Sequence, residues 1–507
     1  MPRVLTEART HFRLRTRCDK QLGLPRAPDM MARTQLNHPS FQSAWHFLIR
    51  AGHRSAVLLL ASLLLLVQTT GSYAAGLIRD AEIEELIEDY ATPIFRAANL
   101  TAQNIHIHIV NDKSFNAFVI DGQNMFIHVG AITKSDTPNQ LIGVMAHEAG
   151  HIAGGHLARL KVQIARMQSA ALIMNLIGIG AMIGGAMSGG GNDVGEAGAA
   201  VLYGGTALIQ RSILSYRRVE ESSADQAAVS YLNRTKQSTA GMLETFRQFA
   251  DQSVTSVNFI DPYVQSHPMP QDRIAQLRDL AQRSPYFGLK DAPALQFRHD
   301  MVRAKLEAFT NKNNAAYVLR KYPEKDQTLP ARYARAISRY FASGAQGAAN
   351  DLDALIAEQP NNPYFHELKG QFLLESGKTK ASIAPLRQAV ALSPKSGLMR
   401  VMLAQALIGT DDPGVLKEAI DHLQKALVKE EQSVIGYRQL AIAYGRLNRI
   451  PEAQLASAQS FFFEGNADFA KVHAERAMMA FPTGSPNWVK ANDIISDVAT
   501  YKELAKQ

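Results

Sequence analysis

The chain has 507 residues, 46% of them hydrophobic and 20% charged, which is long enough for two or more domains with cores of their own. Its formal net charge of +8 sits almost entirely in residues 1–54, which hold ten Lys/Arg against three Asp/Glu; the rest is close to neutral and gives no electrostatic reason to expect nucleic-acid binding. The one cysteine, Cys18, lies in the same leader, which excludes disulfides and a cysteine-linked lipid from the remainder.

Residues 1–75 read as a leader with a secretory signal. Ala56 to Val67 (AVLLLASLLLLV) is apolar or small throughout, Arg50 and Arg54 precede it, and Ser72-Tyr73-Ala74 supplies small residues for cleavage. The run is shorter than the roughly 20 residues of a membrane span, so a periplasmic location is expected. Residues 76–290 then read as one catalytic domain. Asp80 to Ala98 carries Ile83, Leu86, Ile87, Tyr90 and Ile94 at a helical period. Asn104 to Val110 alternates Ile105, Ile107 and Ile109 with His106 and His108, a half-buried strand with both histidines on its solvent face. Phe118 to Ile120, Asp121-Gly122 and Met125 to Val129 predict a hairpin, a place where an extended peptide can add as a further strand and be gripped through its backbone.

Asp136-Thr137-Pro138 suits a helix start, and no proline interrupts the stretch from Asn139 to Gln163. Within it stands His147-Glu148-Ala149-Gly150-His151, an H-E-x-x-H motif. On a helix the two histidines share one face, one turn apart, so both imidazoles can reach a single zinc ion, and Glu148 lies where a carboxylate can act as general base. Gly150, Gly154 and Gly155 are poor helix formers and predict close packing against another backbone. A zinc site of this kind needs a third protein ligand. The metzincin pattern H-E-x-x-H-x-x-G-x-x-H fails by one position, since Leu157 stands where the histidine is required and His156 comes one residue early. Glu221 is the better candidate. It lies one helical turn before Asp225, which is suited to hydrogen-bonding a ligand imidazole.

Between these motifs, residues 167–210 form a separate hydrophobic element. Ala170 to Met187 carries no charge, but Asn175 and four glycines weaken it as a membrane span, and Ser188 to Asp193 is a flexible linker by composition. A lid or hairpin over the cleft, or a surface in peripheral contact with a membrane, is expected. Residues 291–329 read as a helical bridge without a clear repeat. From 330 to 507 the chain repeats: Pro360 and Pro394 are 34 residues apart, as are Gly370 and Ala404, while Ala389 and Ala426 are 37 apart across a small insertion at Thr410 to Gly414. That period is the tetratricopeptide signature, which stacks helix pairs into an α-solenoid with a concave groove. The expected fold class is therefore α+β, mostly α: a zincin-type metalloprotease domain with a small sheet, followed by an α-solenoid of tetratricopeptide repeats.

H-E-A-G-H with a histidine five residues on, and E-x-x-A-D some seventy residues later, resembles the HtpX and CAAX-prenyl-protease family of zinc metallopeptidases. Asn116-Ala117-Phe118 followed by Gly130, Arg218 three residues before Glu221 (with Arg217 in place of the family's serine), and His267-Pro268 with Arg273-Ile274 add to the likeness, which covers roughly Ile78 to Leu280. With the repeats included, the chain is most similar in architecture to periplasmic members that enhance β-barrel assembly. The resemblance implies one zinc ion per chain held by His147, His151 and Glu221. It places His267 beside the metal, either donating to the tetrahedral intermediate or occupying the open position until substrate arrives. The implied partners are unfolded or misassembled protein substrates and, through the repeats, the outer-membrane assembly machinery. A second function class stays open: a periplasmic chaperone or adaptor whose protease site is rarely engaged.

Overall fold

The computed structural model describes residues 76–167, 169, 192–255, 262–410 and 412–504. The leader and signal expected over residues 1–75, and residues 168 and 170–191 of the hydrophobic element, lie outside the described residues. No helix among the described residues is long and apolar enough to cross a membrane.

Strand β1 (Leu77–Ile78) leads into helix α1 (Ala81–Ala97). Asp80 caps that helix, its Oδ1 accepting from the amides of Glu82 at 3.0 Å and Ile83 at 3.1 Å, so the acid sits at the positive end of the helix dipole. β2 (His106–Val110), β3 (Ala117–Ile120) and β4 (Asn124–His128) complete one sheet in the order β1-β2-β4-β3, with β2 and β4 parallel and β3 antiparallel to β4 at the edge. Asp121 and Gly122 make the turn at positive φ, which an Asp-Gly pair accommodates. One face of the sheet sends Ile105, Ile109, Ala117, Met125 and Ile127 into the core against α1. The other carries a cross-strand row of aromatic rings. His108 stacks on Phe126 at 4.8 Å and its Nε2 donates to Asn124 Oδ1 at 2.9 Å, while Phe118 stacks on Phe126 at 5.2 Å.

After the short helix α2 (Val129–Lys134), helix α3 (Pro138–Gly154) runs through the core beneath the sheet. Gln140 Oε1 closes its start by accepting from the amides of Asp136 at 2.5 Å and Thr137 at 3.3 Å. The helix ends earlier than the proline-free stretch implied. Gly155 takes the left-handed conformation (φ 62°) as its cap, and helix α4 (156–167) starts afresh. The 43-residue helix α5 (Asn192–Arg234) crosses α3 where Gly150 faces it. A β-carbon at Gly150 would stand 3.0 Å from Ala224 O and 3.1 Å from its Cα, so glycine allows this approach without pushing the α5 backbone back. α6 (Ala240–Thr255), α7 (Pro262–Ser266) and α8 (Gln271–Gln282) close the domain.

Helix α9 (Pro293–Thr310) serves two cores at once: Val302 and Leu306 pack with the sheet and α3, whereas Met301, Ala304 and Ala308 pack with the helices that follow. The short α10 (Ala315–Lys321) precedes α11 (Leu329–Glu358), whose two halves meet at Gly344 with φ 72°. Helix pairs then follow in order: α12 and α13 (Pro363–Glu375, Thr379–Leu392), α14 and α15 (Gly397–Ile408, Leu416–Leu427), α16 and α17 (Val434–Arg446, Ile450–Phe463), and α18 and α19 (Ala467–Ala480, Pro486–Leu504). The residues 34 apart sit at helix crossings. Ala404 is fully buried, and a β-carbon on Gly370 would stand 2.4 Å from Leu386 Cγ. The insertion at 410–414 meets a single 3-10 turn, Pro413–Val415.

Helix α1 joins the first domain to these pairs through its acidic side. Tyr333 Oη donates to Glu82 Oε2 at 2.9 Å, Tyr364 Oη donates to Glu85 Oε2 at 2.7 Å, Lys429 Nζ lies 3.2 Å from Glu88 Oε2, and Arg79 bridges Glu84 and Glu430. Beneath this fringe Lys305 is buried with its ammonium 2.7 Å from Asp80 Oδ2 and 3.2 Å from Glu82 Oε2.

Candidate metal centre

Helix α3 is buried along nearly its whole length, which brings His147 and Glu148 to 0% exposure and fixes their rotamers by packing. His151, one turn on, points the same way: the two Nε2 atoms are 3.0 Å apart. Helix α5, held against α3 at Gly150, supplies Glu221. Its Oε2 is 3.2 Å from His147 Nε2 and its Oε1 is 3.5 Å from His151 Nε2. The turn after α7 supplies His267, whose amide donates to Tyr263 O at 2.8 Å and whose ring stacks on the Tyr263 ring at 4.7 Å. Its Nδ1 lies 3.3 Å from His147 Nε2 and 3.1 Å from Glu221 Oε2, and its Nε2 is 3.4 Å from Glu148 Oε1. One donor atom from each of His147, His151, Glu221 and His267 falls within 4.8 Å of every other.

Donor chemistry and electrostatics both suit a divalent cation. Imidazole nitrogen and carboxylate oxygen are zinc-type ligands, and carboxylate on its own would have favoured a harder ion. Neither oxygen of the fully buried Glu148 has a hydrogen-bond partner among the described residues, a cost that a bound metal and its water would relieve. Burial disfavours a charge on His147, yet hydrogen bonds and charges from Asp225 and Glu221 outweigh it and lift the ring to about 9. The pocket thus asks for positive charge at the point where the nitrogens converge. Burial opposes ionisation of Glu221 as well, but His267, His147 and His151 hold it far below the usual carboxylate range. Burial pushes Glu148 up to about 7 and depresses His151 and His267.

Around this set stands a layer of supporting contacts. Asp225 Oδ1 lies 2.9 Å from His147 Nδ1, which orients the ring from behind. His156 Nδ1 is 2.9 Å from His151 Nδ1; its other nitrogen is 2.8 Å from Glu220 Oε2, which Arg159 in turn pairs at 2.7 Å. So the histidine that comes one residue too early for the metzincin pattern braces His151. It does not join the donor cluster. Arg217, which replaces the family's serine, donates to Ser266 O at 2.7 Å and steadies the His267 turn.

The structure brings all six residues singled out from the sequence, His147, Glu148, His151, Glu221, Asp225 and His267, into one cluster, buried except for the half-buried His151. What sequence reasoning undervalued is Arg273, noted only as part of a motif. Its Nε and Nη2 donate to the two oxygens of Asp225 at 2.7 and 2.8 Å. A charged side chain at fixed spacing after His267-Pro268 was the available signal, and nothing in the sequence said what it would touch.

Comparison with known proteins adds to this geometry. Residues 77–281 match peptidase family M48. The chain is 26% identical over 342 residues to the β-barrel assembly-enhancing protease of Yersinia pestis, covering 67% of this chain and 68% of that protein. It is 25% identical over 409 residues to the protein of the same name from Escherichia coli strain K12, covering 78% and 79% respectively. Among solved structures, a crystal structure of MamA aligns with 34% of this chain and 97% of its own length at 18% identity, with a TM-score of 0.26.

Proposed function

We propose, from the match of residues 77–281 to peptidase family M48, that the chain is a zinc metalloendopeptidase of the periplasm, acting on misfolded or stalled outer-membrane proteins. The convergence of His147, His151 and Glu221 around one point, with the unpartnered carboxylate of Glu148 alongside, is the observation that carries this assignment. These three side chains would hold the ion, which when bound supplies Lewis acidity toward a peptide carbonyl and an activated water. Asp225 keeps His147 in the tautomer whose Nε2 lone pair is free to ligate. Glu148 accepts the proton of the attacking water on a carboxylate oxygen and passes it to the leaving amine nitrogen. Its buried position favours this exchange, because a carboxylate with no competing hydrogen bond keeps its full basicity toward that proton.

We assign His267 the resting-state role. Its ring stands between Glu148 and Glu221, where a substrate carbonyl has to enter, so the ring must swing out before cleavage. The edge strand β3 is suited to receive the peptide backbone beside α3. The helix pairs from 329 onward we read as tetratricopeptide repeats that recruit substrate or the outer-membrane assembly machinery; the two relatives are named as proteases that enhance β-barrel assembly. Domain limits follow at 76–290, 291–329 and 330–507, with the residues before 76 as leader.

Zinc content and casein cleavage of the secreted form test the assignment. Glu148→Gln should keep its zinc and lose cleavage by about 10²- to 10⁴-fold, the usual contribution of a general base. A Gln variant that cleaves like the native protein would end the proposal, and one that still restores outer-membrane assembly in cells would favour the adaptor function. In the same assay His267→Ala should cleave faster than the native protein. Slower cleavage would mark the ring as a donor to the tetrahedral intermediate.

A further inference from the structure

We propose that Arg273 is the positioning residue that locks the ligand set together, an inference that rests on the metal-site assignment above. Its guanidinium is 7% exposed, yet every nitrogen has a partner. Nε and Nη2 form a two-pronged fork on Asp225 at 2.7 and 2.8 Å. Nη1 donates to Pro268 O at 2.9 Å and stands 2.9 Å from Glu221 Oε2. The group lies 5.3 Å over the ring of Phe246, which meets the His147 ring edge-to-face with centroids 5.4 Å apart. One planar cation therefore reaches the ligand carboxylate, the carboxylate that orients a ligand imidazole, and the turn that presents His267.

Geometry and charge make this more than a buried ion pair. Glu221 and Asp225 sit one turn apart on α5, both almost fully buried, and each has to aim one oxygen at His147. Two carboxylates so close in a dry site repel each other and favour protonation. Arg273 offsets that repulsion at the very oxygens that face His147: Glu221 Oε2 and Asp225 Oδ1 each meet both the guanidinium and that ring. Lysine would bring the same charge without the fork, so it could serve Asp225 or Glu221 but not both and the Pro268 carbonyl too. Because Pro268 follows His267 directly, the guanidinium also ties the helix bearing Glu221 to the turn bearing the fourth donor.

The experiment is a zinc-affinity titration of the secreted form against a chromophoric chelator, with the visible spectrum of the cobalt-substituted protein as a report on coordination. The variants are Arg273→Lys, Arg273→Gln, and the charge-compensated pair Asp225→Asn with Arg273→Gln, which keeps a foldable core should the single Gln variant collapse. All three should bind zinc about 10- to 100-fold more weakly, the range seen when an orienting partner of a metal ligand is lost, and should change the cobalt spectrum while circular dichroism stays helical. Folded variants that hold zinc as tightly as the native protein with an unchanged cobalt spectrum would overturn the role of Arg273. A native protein that binds no zinc would instead overturn the ligand set itself.

Discussion

Two buried regions of this protein carry ionisable groups out of water and settle them in opposite ways. In the cluster between α3, α5 and the His267 turn, three imidazoles face carboxylates, and His147 is lifted to about 9 although burial resists its charge. Where α1 meets α9, the equally inaccessible His299 has neutral hydrogen-bond partners, Tyr90 Oη at 3.0 Å and Ser135 O at 2.8 Å, and burial takes it down to about 4, with Arg303 adding to the depression and Asp136 opposing it. The carboxylates differ in the same sense. At the junction of α1, α9 and α11, Asp80 and Glu82 close on the ammonium of Lys305, and burial raises Glu367 nearby to about 8 so that it stays neutral. In the first cluster neither oxygen of Glu148 has a hydrogen bond among the described residues, and the ionisable His267 Nε2 stands 3.4 Å from Oε1, whereas Glu367 lacks a hydrogen bond at Oε2 alone. Each region has a cation of its own, Lys305 at the junction and Arg273 in the cluster, and the junction adds the neutral donor Tyr333. A region built to take an ion from solution leaves the central position to that ion.

That contrast can be broken at its most heavily buried charge. Lys305→Met removes the internal cation and leaves the buried Glu82 and the half-buried Asp80 uncompensated, so it should destabilise the fold by about 3–5 kcal/mol in urea unfolding, while zinc content stays native. Loss of zinc with little loss of stability would mean the junction is coupled to the site and is not a separate structural device. The smaller effect concerns His299. Its folded value is depressed, and the unfolded ring takes up a proton below about 6.5. The neutral ring's contribution is therefore full above pH 6.5 and is lost as pH falls through 4, by up to about 3 kcal/mol. His299→Gln should flatten the decline in unfolding free energy between pH 6.5 and 4. An unchanged slope would show that another group governs acid lability.

The motif on α3 was legible because H-E-x-x-H spaces its ligands along a single helix, where periodicity alone decides which side chains share a face. The 34-residue period was legible for a similar reason: small residues recur wherever one helix pair crosses the next, as Gly370 and Ala404 do. The end of α3 was less so. A proline-free stretch suggests continuity, but Gly155 in the left-handed conformation stops the helix and turns His156 back onto His151.

Local order along the chain thus determined the element types, the two-histidine face, the candidacy of Glu221 and the repeating helices, because each depends on neighbours within a turn or on one fixed period. Only the tertiary structure decided how far Glu221 stands from His147, that His156 braces where a metzincin would ligate, that Arg273 grips Asp225 and the Pro268 carbonyl together, and that α9 belongs to two cores. Those contacts join residues dozens of positions apart, and their distances are set by how whole helices pack, which no stretch of sequence encodes on its own.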